Sequence, residues 1–140
     1  MTVVNTGDIG EATIVVDEEV VKKYADLIGD HNPLHIDPEY SKKSVFKGRI
    51  GHAILTNGVI STAITDLPGD TIFVEQSISF DHPVYLGDKV EATAEVINIQ
   101  GTLRADVDLI AKVGKKEVLT GTATILSVDA TNERLEHIIL

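Results

Sequence analysis

The stretch Gly51-His52-Ala53-Ile54-Leu55-Thr56-Asn57-Gly58-Val59-Ile60-Ser61-Thr62-Ala63-Ile64-Thr65 decides how the rest of the chain folds. Its apolar residues Ile54, Leu55, Val59, Ile60, Ala63 and Ile64 recur at helical spacing, and small or apolar side chains cover nearly the whole circumference. Such a helix is usually buried, because it has no polar face to give to water. It also carries Thr56, Asn57, Ser61 and Thr62. Polar groups on a buried helix need partners, in the backbone, in each other or in a site that they line.

The C-terminal half of the chain must do the burying. After Leu67-Pro68-Gly69-Asp70 the pattern changes to period two: Ile72, Val74, Ile78 and Phe80 alternate with Phe73, Glu75, Ser77 and Ser79. Val90, Ala92, Ala94 and Val96 alternate with Glu91, Thr93 and Glu95; the apolar set then shifts by one to Ile97 and Ile99, the mark of a bulge or a strand end. Gln100-Gly101 makes a turn, and Leu103, Ala105, Val107, Leu109 and Ala111 form the next alternating run. Gly114-Lys115 turns again, before a last strand from Lys116 to Val128. Long strands with short connections predict an antiparallel meander. The expected fold is α+β: a single hot-dog domain over residues 1–140, a long antiparallel sheet wrapped around a central helix. Its open edges predict a homodimer with a continuous sheet, with further assembly left open.

In front of the central helix, Glu11 to Val16 reads as a short β-branched strand. Asp17 is a natural N-cap, Glu18 and Glu19 suit the positive end of a helix, and Val20, Val21, Tyr24, Leu27 and Ile28 follow helical spacing up to Gly29. Asn32-Pro33 and Asp37-Pro38 make the segment Asp30 to Lys47 a loop with short helical turns, Asp37 capping one with Pro38 at its first position.

Composition narrows the function. The 140 residues carry 12 Lys+Arg against 22 Asp+Glu, a net charge of −10, which repels phosphate backbones and anionic lipid. With no Trp, three Tyr and three Phe, a base-stacking surface is not expected. No nucleic-acid or membrane partner is expected. The absence of cysteine excludes thiolate zinc sites and cysteine nucleophiles, and fits a cytoplasmic location. Met1-Thr2-Val3-Val4-Asn5-Thr6 shows neither the basic nor the apolar region of an export signal.

The chemistry concentrates in Asp30-His31-Asn32-Pro33-Leu34-His35, which packs a carboxylate, two imidazoles and a carboxamide behind a helix end. Asp-x-Asn-Pro is also good turn chemistry, and a purely structural role accounts for it on composition alone. An imidazole, however, moves a proton near neutral pH, and a neighbouring carboxylate can fix its tautomer or carry a second proton. Leu34 and Ile36 flank His35 and predict that it points inward. His31 and His35 have the spacing of metal ligands on a helix, but Asn32-Pro33 argues against a helix there, so no metal is expected. His82, between Asp81 and Pro83, reads as a solvated turn residue, and His137, in the tail, as peripheral. Gly87-Asp88 is hairpin punctuation, not a phosphate loop. Lys42, Lys43, Lys47 and Arg49 form the basic cluster nearest the loop, either solvated or available to an anionic ligand.

The run Tyr24 … Gly29-Asp30-His31-Asn32-Pro33-Leu34-His35 … Ser41, then Ile50-Gly51-His52 and Leu67-Pro68-Gly69, resembles the (R)-specific enoyl-CoA hydratases, the hydratase 2 or MaoC-like dehydratase group of hot-dog proteins. The likeness runs from about residue 8 to residue 128, with Ser77-Ile78-Ser79-Phe80 and Pro83-Val84-Tyr85-Leu86-Gly87-Asp88 matching more weakly. It implies syn addition of water to a trans-2-enoyl-CoA to give an (R)-3-hydroxyacyl-CoA, and the reverse. Asp30 and His35 would be the catalytic pair around one water. Asn32 would help orient the water or the substrate, and Ser61 would support the aspartate by hydrogen bonding. The chemistry also needs donors at the thioester oxygen, where charge builds. The amides at the start of the central helix are unpaired, so the backbone N–H of Ala53 is the oxyanion-hole candidate. His52 and the basic cluster Lys42, Lys43, Lys47 and Arg49 would contact substrate, the latter through the CoA phosphates. No cofactor is implied. Two positions depart from the family: Ala53 stands where a glycine is usual, and Ile28 where a small hydroxyl residue is common.

Two other classes stay open. One is a different thioester enzyme on the same fold, an acyl-carrier-protein dehydratase or a thioesterase; against the latter, Gly51 to Thr65 holds no Asp or Glu. The other is a non-catalytic acyl-binding module. A single hot-dog unit leaves little room, so short acyl chains are expected.

Overall fold

The computed structural model describes residues 2–136 of the chain. In order, it holds β1 (Ile9–Val15), α1 (Glu18–Ile28), the short helices α2 (Pro33–Ile36) and α3 (Pro38–Lys43), the longer α4 (Ala53–Thr65), then β2 (Asp70–Phe80), β3 (Lys89–Gln100), β4 (Arg104–Val113) and β5 (Lys116–Val128), with a terminal 3-10 turn at Glu133–Leu135. Local chemistry sets the ends. Asp17 accepts the Val20 amide to start α1, and Gly29, at φ 78°, ends it in the left-handed conformation that glycine adopts without strain. Asn32 and Asp37 cap α2 and α3, each with proline at the first position.

The five strands form one antiparallel sheet in the order β1-β3-β4-β5-β2. The expected meander is therefore realised only by β3, β4 and β5. β2 crosses to the far edge and pairs with β5, while β1 pairs with β3 at the other edge. The shift foreseen near Ile97 is a break in the β3–β4 register between Val96 and Asn98. A second break, between Phe73 and Glu75, moves β2 out of simple alternation and was not legible as a pattern.

The core lies between α4 and the inner face of the sheet. Val90, Ala92, Ala94 and Val96 of β3 and Ala105, Val107, Leu109 and Ala111 of β4 are all at most 1% exposed and pack with Val59, Ile60, Ala63 and Ile64 of α4. Burying Ile60 fully is worth about 1.5–3 kcal/mol by its apolar area. α4 approaches β1 so closely that a β-carbon at Gly10 would overlap the Ala63 carbonyl. The largely apolar α4, expected to be buried all round, is buried on one side only: Ile54 is 57% exposed, and much of β2, including Ile72, Phe73 and Val74, is open. Periodicity alone does not separate a helix buried in its own chain from one with a face left over. Among the described residues, no helix is long and apolar enough to cross a membrane. His137 lies outside the described residues.

Candidate active site

The segment Arg49 to His52 runs between the two halves of the site and holds both. On one side it is tied to the connection between β2 and β3, by Gly51 N–H to the Val84 carbonyl at 2.7 Å and an isolated bridge between Ile50 and Tyr85. On the other it meets α2. The Ile50 N–H donates to the Leu34 carbonyl at 3.1 Å, and His35 Nδ1 donates to the Ile50 carbonyl at 2.8 Å. A carbonyl only accepts, so Nδ1 carries the proton and neutral His35 has a bare lone pair on Nε2. The ring is buried, as its apolar neighbours predicted, at 8% exposure.

Asp30 follows the glycine that ends α1. It is exposed, and its Oδ1 accepts the Asn32 amide at 3.3 Å. His52 fastens the same turn from inside, donating Nε2–H to the Asp30 carbonyl at 3.0 Å. Its ring lies against that of His35, with centroids 3.9 Å apart, and meets Tyr24 edge-on at 4.9 Å. His52 Nδ1 is buried with no hydrogen-bond partner.

One donor atom each from Asp30, His35 and His52 lies within 4.8 Å of the other two. Groups at that separation can share one water at ordinary hydrogen-bond lengths of roughly 2.8 Å to each. The same three residues are a geometric candidate for a metal ion, and His31, weighed as a ligand from its spacing, is not among them: it pairs with Asp26. Both imidazoles keep one nitrogen on a backbone carbonyl, the arrangement that metal-bound histidines also use.

Asp30, His35, His52 and Ala53 all line one cavity of about 530 Å³. Ala53 is the first residue of α4, where the helix leaves its amide without an internal partner. Ile28, Phe46, Ile54 and Phe80 make much of the cavity apolar, and Thr56, Val84 and Val118, all at most 6% exposed, are on its wall. The other sequence candidates are placed differently. Asn32 does not line the cavity; its Oδ1 caps α2 by accepting the Leu34 amide at 3.0 Å. Ser61 also lies off the cavity and makes no hydrogen bond to Asp30, whose turn is held by Asn32 and His52 instead. The expected support from Ser61 is thus not made within the chain. Ser61 sits about two and a half turns beyond His52 on α4, a separation that turns it to the opposite side of the helix.

The basic cluster divides. Lys42, Lys43 and Lys47 are exposed, and Lys42 and Lys47 border a separate groove of about 430 Å³. Arg49 borders that groove too, but its guanidinium pairs with Glu18 and its Nε donates to the His35 carbonyl at 2.6 Å. His82 is exposed in its turn, as read from the sequence, and it also lines the same cavity with Asp81, its Nδ1 donating to the Glu117 carbonyl at 3.0 Å. Tyr24 and Phe80, which entered only within longer motifs, His82, read as a turn residue, and Asp81 were not singled out as lining a site, because they come from distant segments that only the fold brings together. Asp106 is held below the usual carboxylate range by Gln100, then by Asn98 and Thr124, with burial opposing.

Residues 4–120 match the family described as MaoC like domain. Over 130 residues, 88% of this chain and 88% of the other, the sequence is 34% identical to an (R)-specific enoyl-CoA hydratase of Rhodospirillum rubrum. It is 35% identical over 102 residues to a mitochondrial 3-hydroxyacyl-[acyl-carrier-protein] dehydratase of Arabidopsis thaliana, covering 72% of this chain but only 61% of that protein. The fold superimposes on the unliganded R-hydratase PhaJ1 of Pseudomonas aeruginosa with a TM-score of 0.83 at 32% identity, over 90% of this chain and 83% of that one.

Proposed function

Because the chain belongs to the MaoC-like domain family of hydratases and dehydratases, we propose that it is an (R)-specific enoyl-CoA hydratase, a hydro-lyase that adds water reversibly to short trans-2-enoyl-CoA thioesters. The observation that carries this reading is the pairing of Asp30 with a His35 whose bare Nε2 is dictated by the Ile50 carbonyl, both on one cavity. A water held between them gives its oxygen to C3 of the alkene as His35 Nε2 takes one of its protons. The electron pair of the double bond moves towards the thioester, and the oxygen there gains charge. The Ala53 N–H meets that charge, a donor of the kind worth about 3 kcal/mol in the transition state. C2 receives its proton through Asp30 from the same side, which makes the addition syn, and transfer between the two groups resets the pair. This sequence of steps needs no metal or cofactor.

Both Lys42 and Lys47, beside the second groove, suit the phosphates of CoA, with Lys43 adjacent on α3. The same cations suit an acidic carrier protein, and the plant relative is named for such a substrate, so an acyl-carrier-protein dehydratase is the second reading. The open side of α4 and the exposed β2 support a homodimer through that face. The cysteine-free composition suits a reducing, cytoplasmic setting.

The test is hydration of crotonyl-CoA, followed by loss of the conjugated thioester absorbance, beside crotonyl-acyl carrier protein. Absorbance loss without free thiol on CoA substrate supports the proposal, and a marked preference for the carrier protein supports the second reading. Release of free thiol would point to a thioesterase. No change with either substrate would leave a non-catalytic acyl-binding module.

A further inference from the structure

α2 is a helix of four residues, far too short to hold itself together in water. Its position, and with it that of the His35 ring, depends on partners outside. The carbonyls at its C-terminal end have no helical acceptor role left, and two of them are taken by consecutive residues of one segment: Leu34 by the Ile50 amide and His35 by Arg49 Nε. The Arg49 side chain is only 12% exposed, so its charge is largely removed from water and must be compensated. Glu18, at the first position of α1, provides that: both its carboxylate oxygens face the guanidinium, and it is itself 67% exposed. α1 is also the helix whose end delivers Asp30. One guanidinium therefore links the start of the helix that carries Asp30 to the backbone of the residue that acts with it.

We propose that Arg49 is a positioning residue for the Asp30–His35 pair, clamped by Glu18, and not a ligand of the CoA phosphates. The proposal rests on the hydratase reading for its kinetic part only. A planar guanidinium can serve a carbonyl through Nε and a carboxylate through its two terminal nitrogens at once; an ammonium has no such fork. The contact is to the backbone of His35, whose ring the Ile50 carbonyl fixes from the adjoining residue of the same segment. Losing it lets α2 drift relative to the Arg49–His52 segment, and a displacement near 1 Å is enough to cost on the order of 100-fold in rate.

The test compares wild type with Arg49→Met, Arg49→Lys and Glu18→Gln, using crotonyl-CoA and crotonyl-N-acetylcysteamine, a thioester that lacks the phosphates. A positioning role predicts that Arg49→Met lowers kcat about tenfold to hundredfold on both thioesters alike, with KM changed less than about threefold. Arg49→Lys should rescue little, and Glu18→Gln should move kcat in the same direction by less. A raised KM confined to the CoA thioester, with kcat retained, would overturn the proposal in favour of phosphate binding. Nitrogen-15 spectra of the His35 ring give a readout that needs no turnover. Wild type should show the proton on Nδ1 alone, and Arg49→Met a mixture of tautomers; a single unchanged tautomer in Arg49→Met would overturn the proposal. If wild type hydrates neither thioester, the hydratase reading fails, while the spectra still decide the role of Arg49.

Discussion

His52 stacks on His35, ring centroids 3.9 Å apart and planes inclined by 32°, while its Nε2 holds the carbonyl of Asp30. One buried side chain thus touches both members of the proposed catalytic pair without being either. Replacing it by Gln keeps a donor for the Asp30 carbonyl and removes the stack; replacing it by Phe does the reverse. Both should lower kcat, and a tenfold to hundredfold loss is the expected scale for a small misplacement. If the carbonyl bond matters more, His52→Gln will retain the higher activity. Crotonyl-CoA kinetics on the two variants, with circular dichroism to confirm folding, decide between the contacts.

Asp30→Asn and His35→Gln remove the proton carriers while preserving size. Each should reduce hydration by about 10²–10⁴-fold, the usual contribution of a positioned acid or base. Asp30 is exposed and should be replaced with little effect on stability. His35→Gln can still donate to the Ile50 carbonyl, so its fold should also survive. Rates within about twofold of wild type in either variant would remove that residue from the chemistry.

The part of the fold set by local chemistry was legible in the sequence. Asp17 and Gly29 bound the first helix at the residues that cap it, and Asp37 with Pro38 starts α3 as expected; Asn32-Pro33, read as an argument against a helix, instead caps the four-residue α2 with proline at its first position. Strand order was not legible, because alternation says which face a residue takes and nothing about which neighbour pairs with it. The site divides the same way. Asp30 and His35 stand close together in one informative segment, and they converge in space as well. Arg49 looked like one more surface cation, since its role depends on the His35 carbonyl and on Glu18, contacts that no spacing encodes.

Gly10 marks a close approach that no periodicity displays. A methyl group there meets the Ala63 carbonyl and the Leu67 side chain, so β1 and α4 would have to separate. Overpacking of this kind costs about 1–3 kcal/mol. Gly10→Ala should lower the urea midpoint with an unchanged slope. Unaltered stability would mean that β1 moves freely against the helix.

Asp106 should make stability fall in acid. Its carboxylate accepts Gln100 Nε2 at 2.7 Å and Asn98 Nδ2 at 3.1 Å, and these bonds hold it below its ordinary value of 3.8. A depressed folded-state value means that the contribution is complete above the unfolded value and is lost as pH falls through the folded one. Asp106→Asn should therefore weaken the protein at neutral pH and flatten its loss of stability below pH 3.8. Denaturant midpoints measured across that range test the sign: a variant that loses stability on acidification as steeply as wild type would assign the acid limb to other carboxylates.

Chain length should depend on the wall of the cavity. Thr56, Val84 and Val118 line it and are at most 6% exposed, and Val118 also belongs to the hydrophobic core, so an acyl chain that grows towards them meets packed side chains. Across C4 to C12 enoyl-CoAs the rate should be highest at the short end, and a maximum at C10 or above would contradict this. Val118→Ala removes atoms from that wall. It should shift the preference towards longer chains, because each added methylene that finds apolar contact is worth about 0.8 kcal/mol, close to fourfold in kcat/KM. The vacated volume should also lower stability, by about 1–3 kcal/mol for a truncated buried side chain. A stability loss with no change in chain preference would place the acyl chain against another part of the cavity, with Phe46 and Phe80 the next residues to truncate.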